Sequence, residues 1–328
     1  DHLHFASCSI ESTEENAPAM SLDLSKLTSY SLFPGKVVAM KGYSESSSTF
    51  TPLELYEPPL LPKANLSLQE DIEDLRIWCA AGSFTSSETL SYEQLYDFLE
   101  LAVKQSPDVI VLMGPFIDRL SKVARSSSLT RSFPELFEIL LVNICDVLRK
   151  STPKLIIIPN RKDAVSLPFY PVTPFAVSKD CKKGLYEDVT FAPEPTVMKI
   201  AGIEFAFSGS EVIQHLGKDE IYLSENSENE DRMARLISHL IRQRSLYPLY
   251  PPPQGFSYSV PKMIKASELT EIPHIMVLSS MLAPMVKVVD GCLCINLGSL
   301  AKGYYMTLDV NYKTLVEKGN NSPLEECC

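Results

Sequence analysis

The sequence predicts a parallel α/β domain that is preceded by a smaller all-β region. Short apolar runs alternate with stretches of helical spacing between residues 75 and 159, an order typical of a parallel sheet with crossover helices. Before residue 65 the chain instead carries short runs separated by Gly and Ser turns, which is typical of a small β-barrel. The proline-rich stretch EPPLLPKANL lies between the two patterns and favours a stiff connection.

The length of the chain agrees with this division. A chain of 328 residues corresponds to about two domains. We therefore predict an all-β domain over residues 1–64 and an α/β domain over residues 65–328. The first residue is Asp, so we expect that the sequence begins inside a longer protein.

Composition argues against several classes of protein. The net charge of −11 and the pI of about 5.1 disfavour a chain that binds nucleic acid through its overall field, because phosphate binding needs clustered Lys and Arg. The eight cysteines include no C-x-x-C pair, so we expect reduced thiols in a cytosolic or nuclear protein. No apolar run reaches the roughly 18 residues of a membrane helix. An acidic scaffold that binds other proteins fits these features better.

The elements of the all-β region follow from alternation and turn residues. Alternating residues predict three short strands, over residues 1–10, 36–42 and 50–56. Between the first two, SLDLSKLTSY has the pattern of a short helix or turn that carries its leucines inward. The loop SESSST separates the last two strands.

The α/β pattern is clearest between residues 75 and 159. Three buried strands are predicted over residues 75–82, 109–113 and 154–159, with amphipathic helices over residues 92–104 and 133–149. The middle strand is followed by Gly114 and Pro115, and Pro115 cannot continue the ladder because it has no N–H. In open α/β sheets ligand sites form at the carboxyl ends of the strands, so the residues that follow each strand are candidates for a site.

The second half of the chain predicts a further set of elements. Three strands that we expect to be antiparallel cover residues 189–191, 196–200 and 203–208, with Ala201-Gly202 as a hairpin turn. Later strands are predicted over residues 273–278, 286–289, 292–297 and 304–310, the last at a sheet edge. Helices are predicted over residues 211–216 and 232–244, a solvated acidic loop over 218–231, and an extended segment over 247–253.

Polar residues at the strand ends raise the hypothesis of a metallophosphoesterase. That chemistry uses two metal ions that bind a phosphate and activate water, and such ions prefer carboxylate and imidazole ligands. The metallophosphoesterase family supplies these ligands as D-x-H, G-D-x-x-D, G-N-H-[DE], a later His and G-H-x-H, each after a strand. The first of these positions reads AAGS in this chain, which contains neither Asp nor His.

The second motif keeps its frame without its metal-bridging residue. Gly114 and Asp118 occupy the outer positions of G-D-x-x-D, but Pro115 stands where the bridging Asp belongs. A carboxylate that should hold both ions is therefore missing.

The remaining motifs have lost their imidazoles. Asn160 and Asp163 keep part of the third motif, with Arg161 at the His position, and Ser299 follows Gly298 where the last motif needs a His. Arg161, like the neighbouring Lys162 and Lys302, would repel a metal ion. We therefore expect no catalytic residue and no metal ligand. The residues that preserve the pattern form what we call the strand-end site: Gly114, Asp118, Asn160, Asp163 and Gly298.

Longer stretches of the chain resemble one protein family. They include SLFPGKVV, LYEPPLLP, AAGSFTSSETLSYEQL, PDVIVLMGPFID, FSGSEVIQHLGKDEI, QRSLYPLYPP and GCLCINLGSLAKG, and the resemblance runs from about residue 22 to residue 305. On these stretches the chain is similar to the accessory B subunits of DNA polymerase α–primase. The B subunits of polymerases δ and ε share the GPF-x-D type of strand end, but YPLYPP in this position favours the α family.

The resemblance implies a fold, a role and a set of partners. The fold is an OB-fold β-barrel, here expected to lack its first strands, packed against an inactive calcineurin-like phosphoesterase-type α/β sandwich. The role is that of a non-catalytic accessory subunit without a cofactor. Its implied partners are the zinc-bearing C-terminal region of the catalytic subunit and, through the complex, primase. The complex makes RNA–DNA primers in the nucleus, and contact of the accessory subunit with DNA is expected to be indirect or weak.

The YPLYPP segment offers candidates for partner docking. Tyr247, Leu249 and Tyr250 lie in this stiff aromatic segment, which could instead be a rigid loop packed on its own domain. Two other functions stay open: a divergent metal-dependent phosphoesterase, and an OB protein that binds single-stranded nucleic acid, as many OB folds do.

Overall fold

A small sheet opens the described part of the chain. The computed structural model describes residues 8–10, 20–66, 74–126, 129–224 and 231–311. The first strands are β1 (Cys8–Ile10), β2 (Met20–Leu22), β3 (Tyr30–Leu32), β4 (Ala39–Ser46) and β5 (Thr49–Tyr56). Four of them form one sheet in the order β1-β2-β5-β4, whereas β3 pairs with a strand of the α/β region.

One predicted strand of this region is displaced along the chain. The strand expected over residues 36–42 begins at Ala39, because the amide of Val37 donates to Oε1 of Gln243 in the α/β region at 2.7 Å. The strand then continues to Ser46, so the predicted loop SESSST is reduced to a tight hairpin turn.

The other predictions for this region are confirmed in part. Strand β5 matches the strand predicted over residues 50–56. The predicted short helix or turn is strand β2 followed by a 3₁₀ turn over Leu24–Lys26, in which the Asp23 carboxylate accepts from the amide of Ser25 at 3.0 Å. Of the strand predicted over residues 1–10, only residues 8–10 lie among the described residues.

The first half of the α/β region builds a parallel sheet with helical crossovers. Its elements are β6 (Asp74–Ala81), α1 (Glu93–Gln105), β7 (Val109–Met113), α2 (Lys122–Arg125), α3 (Phe133–Leu148), β8 (Lys154–Ile158), α4 (Lys179–Gly184) and β9 (Val189–Phe191). Strands β6 to β9 are parallel neighbours in that order, and Val111 lies between Cys79 and Ile156. The strands and helices predicted over residues 75–159 are confirmed.

The second half contributes another sheet. Its elements are β10 (Thr196–Ile200), β11 (Ile203–Ser208), α5 (Val212–Asp219), β12 (Ile221–Leu223), α6 (Arg232–Arg242), α7 (Val260–Ser267), β13 (Ile275–Leu278), β14 (Met285–Val289), β15 (Cys292–Asn296) and β16 (Met306–Asn311). The sheet order is β10-β11-β13-β15-β14, with β11, β13 and β15 parallel. Strand β16 returns to the first sheet and pairs antiparallel with β6, as the predicted edge strand.

Three features of the α/β region differ from the sequence prediction. The prediction that β9 is antiparallel is wrong: the chain crosses over through α4 and pairs Val189 with Leu155 of β8 in the same direction. Strand β12 lies inside the predicted solvated loop and pairs antiparallel with β3, with Tyr222 opposite Ser31. Helix α7 is not predicted by the sequence pattern, which includes Pro261. The helix forms because Pro261 lies in its first turn, where proline is tolerated.

The two five-stranded sheets pack face to face, and helices cover both outer faces. Val111 and Met113 of β7 belong to the same buried cluster as Phe205 and Phe207 of β11. The outer face of the first sheet packs on α1 and α3, and that of the second sheet packs on α5, α6 and α7. The predicted α/β sandwich is confirmed.

The all-β region and the α/β region are in direct contact. Strand β3 pairs with β12, and the amide of Ala64 donates to the carbonyl of Ile272 at 2.9 Å. The domain boundary after residue 64 stays a prediction. Among the helices of the described ranges, none has the length and apolar character needed to cross a membrane.

Candidate functional site

The carboxyl ends of parallel strands from both sheets meet at one junction. The loops after β6, β7 and β8 face those after β11, β13 and β15. The Ser299 hydroxyl donates to the Ser83 carbonyl at 3.0 Å, and Asn160 Nδ2 donates to the Gly209 carbonyl at 2.7 Å. The strand-end site therefore spans the two sheets.

Asp163 is fully buried at the centre of this junction. Its Oδ1 accepts from the amides of Phe116 and Ile117 at 2.5 and 3.3 Å, and its Oδ2 accepts from the amide of Asn160 at 2.8 Å. Burial raises the pKa of Asp163 to about 7; the amide donors oppose this rise, and nearby Asp118 adds to it. Oδ1 thus holds the loop after β7 to the loop after β8, while Oδ2 bonds within the loop after β8.

The two glycines of the strand-end site are required by packing and by backbone shape. A Cβ atom at Gly114 would lie 2.2 Å from Asp163 Oδ2 and 2.9 Å from the amide nitrogen of Asn160. Gly298 has a φ of +69°, and a Cβ atom there would lie 2.9 Å from Cγ of Pro284. Each glycine therefore has a structural role in its turn.

Asp118 and Asn160 also bond to the surrounding chain. Asp118 Oδ1 accepts from the amide of Leu120 at 2.9 Å, and Oδ2 accepts from the Ser83 hydroxyl at 3.4 Å. Asn160 Oδ1 accepts from the amide of Lys162 at 2.8 Å. The structure thus brings Gly114, Asn160 and Asp163 into contact, while Asp118 faces the loop after β6.

Glu194 is a second fully buried carboxylate, and the sequence pattern does not predict it. Its Oε1 accepts from the Ser208 hydroxyl and from the amides of Gly209 and Ser210 at 3.2, 2.9 and 3.1 Å. Its Oε2 accepts from the Ser210 hydroxyl at 3.3 Å. Burial raises its pKa to about 7 against these hydrogen bonds. A single Glu between two prolines gives no local signal of this role.

The cations of the junction have partners that the sequence does not indicate. Lys162 Nζ lies 2.7 Å from Glu211 Oε1, and Glu211 Oε2 also accepts from the Ser280 hydroxyl at 3.0 Å. Arg161 instead lies over the ring of Phe256, with its guanidinium carbon 4.3 Å from the ring centroid. The two adjacent cations therefore face different surroundings.

The donor set does not fit a two-metal centre. Such a centre needs carboxylate and imidazole ligands around each ion, but Pro115 offers no side-chain donor and both oxygens of Asp163 bond to backbone amides. Across the described ranges, no three His, Cys, Asp or Glu side chains are grouped to hold an ion. The strand-end site is a structural junction, and its derivation from a phosphoesterase site stays a prediction.

The three docking candidates lie in different environments. Tyr247 is 2% exposed and its hydroxyl lies 2.7 Å from His215 Nδ1, while Leu249 is fully buried. Tyr250 is 49% exposed, and its amide donates to the Pro34 carbonyl at 3.0 Å. Burial of the first two side chains favours packing on their own domain, so Tyr250 alone among the three presents its side chain to solvent.

A third carboxylate, whose side chain is 2% exposed, joins β3 to the α/β region. Glu220 accepts from Nε and Nη2 of Arg235 at 2.8 and 3.1 Å and from the Ser31 hydroxyl at 2.6 Å. His239 Nε2 lies 3.4 Å from Glu220 Oε1. Burial pushes the pKa of Glu220 upward, but hydrogen bonds from His239, Arg235 and Ser31 outweigh it and lower the pKa to about 2. The sequence gives no sign of this network, because Glu220 falls in an acidic stretch with a solvated pattern.

Comparison with known proteins places this chain in a family. Residues 77–287 match the family of B subunits of DNA polymerases alpha and epsilon, and residues 1–58 match the OB domain of the DNA polymerase alpha B subunit. The small sheet is therefore part of an OB domain, as predicted.

Individual relatives agree with the family match. The chain is 32% identical to the DNA polymerase alpha B subunit of Mus musculus, over 92% of this chain and 50% of the relative. It is also 32% identical to the protein of that name from Caenorhabditis elegans, over 88% of this chain and 49% of the relative. The chain thus spans about half the length of these relatives.

Among solved structures, the chain is similar to one described as a novel archaeal phosphodiesterase. The similarity covers 72% of this chain and 100% of that chain at 8% identity, with a TM-score of 0.32. The family match, by contrast, covers residues 77–287 and so more than half of the sequence. This chain belongs to the B-subunit family of DNA polymerases alpha and epsilon.

Proposed function

We propose that this chain is a non-catalytic accessory subunit of the DNA polymerase α–primase complex. In this role it binds the zinc-bearing C-terminal region of the catalytic subunit, connects through the complex to primase, and supports RNA–DNA primer synthesis in the nucleus. The similarity to relatives named as B subunits of DNA polymerase alpha supports the assignment. The acidic chain, with a net charge of −11, suits a scaffold that binds protein.

The non-catalytic part of the proposal rests on the bonding of Asp163. Both of its oxygens accept from backbone amides, and Pro115 replaces the residue that would bridge two ions. Three of the roughly four acceptor positions of this carboxylate are occupied by amide donors, which leaves little capacity for a metal ion. The junction therefore keeps the fold together instead of carrying out hydrolysis.

Association with the catalytic subunit tests the proposal. Co-expression of this chain with the zinc-bearing C-terminal region of the DNA polymerase α catalytic subunit is expected to give a complex that remains intact through size-exclusion chromatography. Tyr250→Ala is expected to weaken the complex, whereas Tyr43→Ala, which removes another ring of similar exposure (41%), should leave it intact. Separate elution of the two polypeptides would contradict the proposal.

A metal and phosphodiesterase assay tests the non-catalytic part. We expect no bound Mn or Zn and no turnover of a phosphodiester. The opposite result, bound metal with turnover that Asp118→Ala abolishes, would establish the divergent phosphoesterase instead.

A further inference from the structure

One surface beside the strand-end site combines a cation with aromatic rings. Arg161 lies over Phe256, at 4.3 Å from the guanidinium carbon to the ring centroid. Phe256 contacts Tyr258, and Tyr258 contacts Tyr250, with centroid separations of 6.3 and 6.4 Å. We call Arg161, Phe256, Tyr258 and Tyr250 the aromatic row.

The aromatic row reaches solvent and includes donors without acceptors. Arg161 and Tyr258 are half-buried, Tyr250 is exposed, and Phe256 is buried beneath them. No side chain or carbonyl of the described residues accepts a hydrogen bond from the Arg161 guanidinium. A guanidinium carries five N–H donors, so this half-buried group can bind an anion from outside the chain.

Helix α7 adds two lysines that follow Tyr258 closely in sequence. Lys262 and Lys265 are exposed, and neither pairs with a carboxylate within the described parts of the chain, while Met263 and Ser267 bury the opposite side of the helix. The sequence contains no Asp or Glu between residues 232 and 267. Lys262 and Lys265 thus place two positive charges within seven residues of Tyr258 in the sequence, on a protein whose net charge is −11.

We propose that the aromatic row, together with Lys262 and Lys265, binds single-stranded nucleic acid. Exposed rings on which bases stack, combined with cations that bind phosphates, are the means by which proteins hold single strands without sequence preference. Arg161 can donate two parallel hydrogen bonds to one phosphate. An acidic polypeptide would also be attracted by these cations. Its carboxylates, unlike nucleic-acid bases, would not stack on the rings of Tyr258 and Tyr250.

This nucleic-acid surface shares Tyr250 with the proposed docking of the catalytic subunit, and it is separate from the OB domain. The expectation of weak DNA contact rests on the overall charge and on the few Lys and Arg of residues 1–64, whereas the aromatic row lies in the α/β region. The oligonucleotide assay uses this chain alone, so its failure leaves association with the catalytic subunit untouched.

Fluorescence anisotropy with a labelled oligothymidylate of about 20 nucleotides tests the inference. The 328-residue chain is expected to bind it at ~50 mM salt and to lose most of the affinity at ~200 mM, because phosphate contacts release counterions. Arg161→Ala and Tyr258→Ala are each expected to raise the Kd about fivefold or more. Lys262→Ala should lower the slope of log K against log salt by about 0.7.

Two control variants test whether the oligonucleotide binds at another surface of the protein. Lys182→Ala removes an exposed cation of α4, and Tyr43→Ala removes an exposed ring of the OB domain; neither should change the Kd. Binding that depends on Tyr43 but not on Arg161 or Lys262 would overturn the inference. So would equally tight binding of poly-L-glutamate with the same dependence on Tyr258. If Arg161→Ala lowers the melting temperature, the Kd values of alanine variants at the exposed Lys262 and Lys265 test the inference in its place.

Discussion

Two regions of this molecule bury carboxylates, and the pKa values of these carboxylates are shifted in opposite directions. Where the OB domain meets the sandwich, Glu220 bonds to the guanidinium of Arg235, and its pKa is lowered to about 2. At the strand-end site and beside it, Asp163 and Glu194 bond to neutral amides and hydroxyls, and their pKa values are raised to about 7. Hydrogen bonds from neutral donors do not offset full burial at Asp163 and Glu194, whereas at the less buried Glu220 the hydrogen bonds from His239, Arg235 and Ser31, together with the charge of Arg235, do.

The largest effect is expected from breaking the paired carboxylate. Glu220→Ala removes the group that accepts two hydrogen bonds from Arg235 and one from Ser31, in a side chain that is 2% exposed. Loss of one partner of a buried ion pair costs about 3–5 kcal/mol, which urea unfolding would measure as a lower free energy of unfolding. Glu54→Gln, at an exposed pair with Lys41, should leave it unchanged. Equal stability of the two variants would show that the Glu220 network contributes little.

A smaller loss is expected at the strand-end site. Asp163→Asn keeps the size of the side chain but places an NH₂ group where an oxygen now accepts from a backbone amide. One buried donor then loses its acceptor, at a cost of about 1–3 kcal/mol in the free energy of unfolding. Phosphodiester turnover should remain absent in both proteins. A variant as stable as the parent would mean that the loops after β7 and β8 hold without Asp163.

The smallest effect is expected from the isosteric change Glu194→Gln, and it depends on pH. A Gln oxygen can accept the three bonds now made to Oε1, and its NH₂ can donate to the Ser210 hydroxyl. Burial raises the pKa of Glu194 to about 7. The contribution of this carboxyl group to the free energy of unfolding is therefore fully present below the pKa of the unfolded state, and it is lost as the pH rises through about 7.

The variant should therefore match the parent near pH ~5 and exceed its free energy of unfolding by about 1–2 kcal/mol near pH ~8. Urea unfolding across this range gives the comparison. If the free energy of unfolding of the parent instead rises over this pH range by the same amount as that of the variant, Glu194 is ionised at all these pH values.

The predictable part of the fold is the part with local patterns. Strands β6, β7 and β8 are continuous apolar runs, and a fully buried parallel strand needs no other signal. The strand-end site is also visible in the sequence, because Gly114 and Asp118 keep a fixed spacing around Pro115. The loss of ligands can be read directly from the residues at each position.

The remaining features depend on partners that are distant in the sequence. Glu220 and strand β12 lie in a polar stretch, and only the approach of Arg235 and Ser31 turns that stretch into an interface. Glu194 gives no pattern of its own, because its donors come from the end of β11 and the residues that follow it. Periodicity reports which side chains avoid water and does not report which buried polar groups meet.

The pairing of β3 with β12 has a consequence for how this protein can be divided. The two strands come from residues on opposite sides of residue 64, and they complete one ladder. A polypeptide that starts at residue 65 would carry β12 as an unprotected edge, open to strand exchange with other chains and to aggregation. A cut after residue 64 would thus expose the edge of β12 on the polypeptide that follows it.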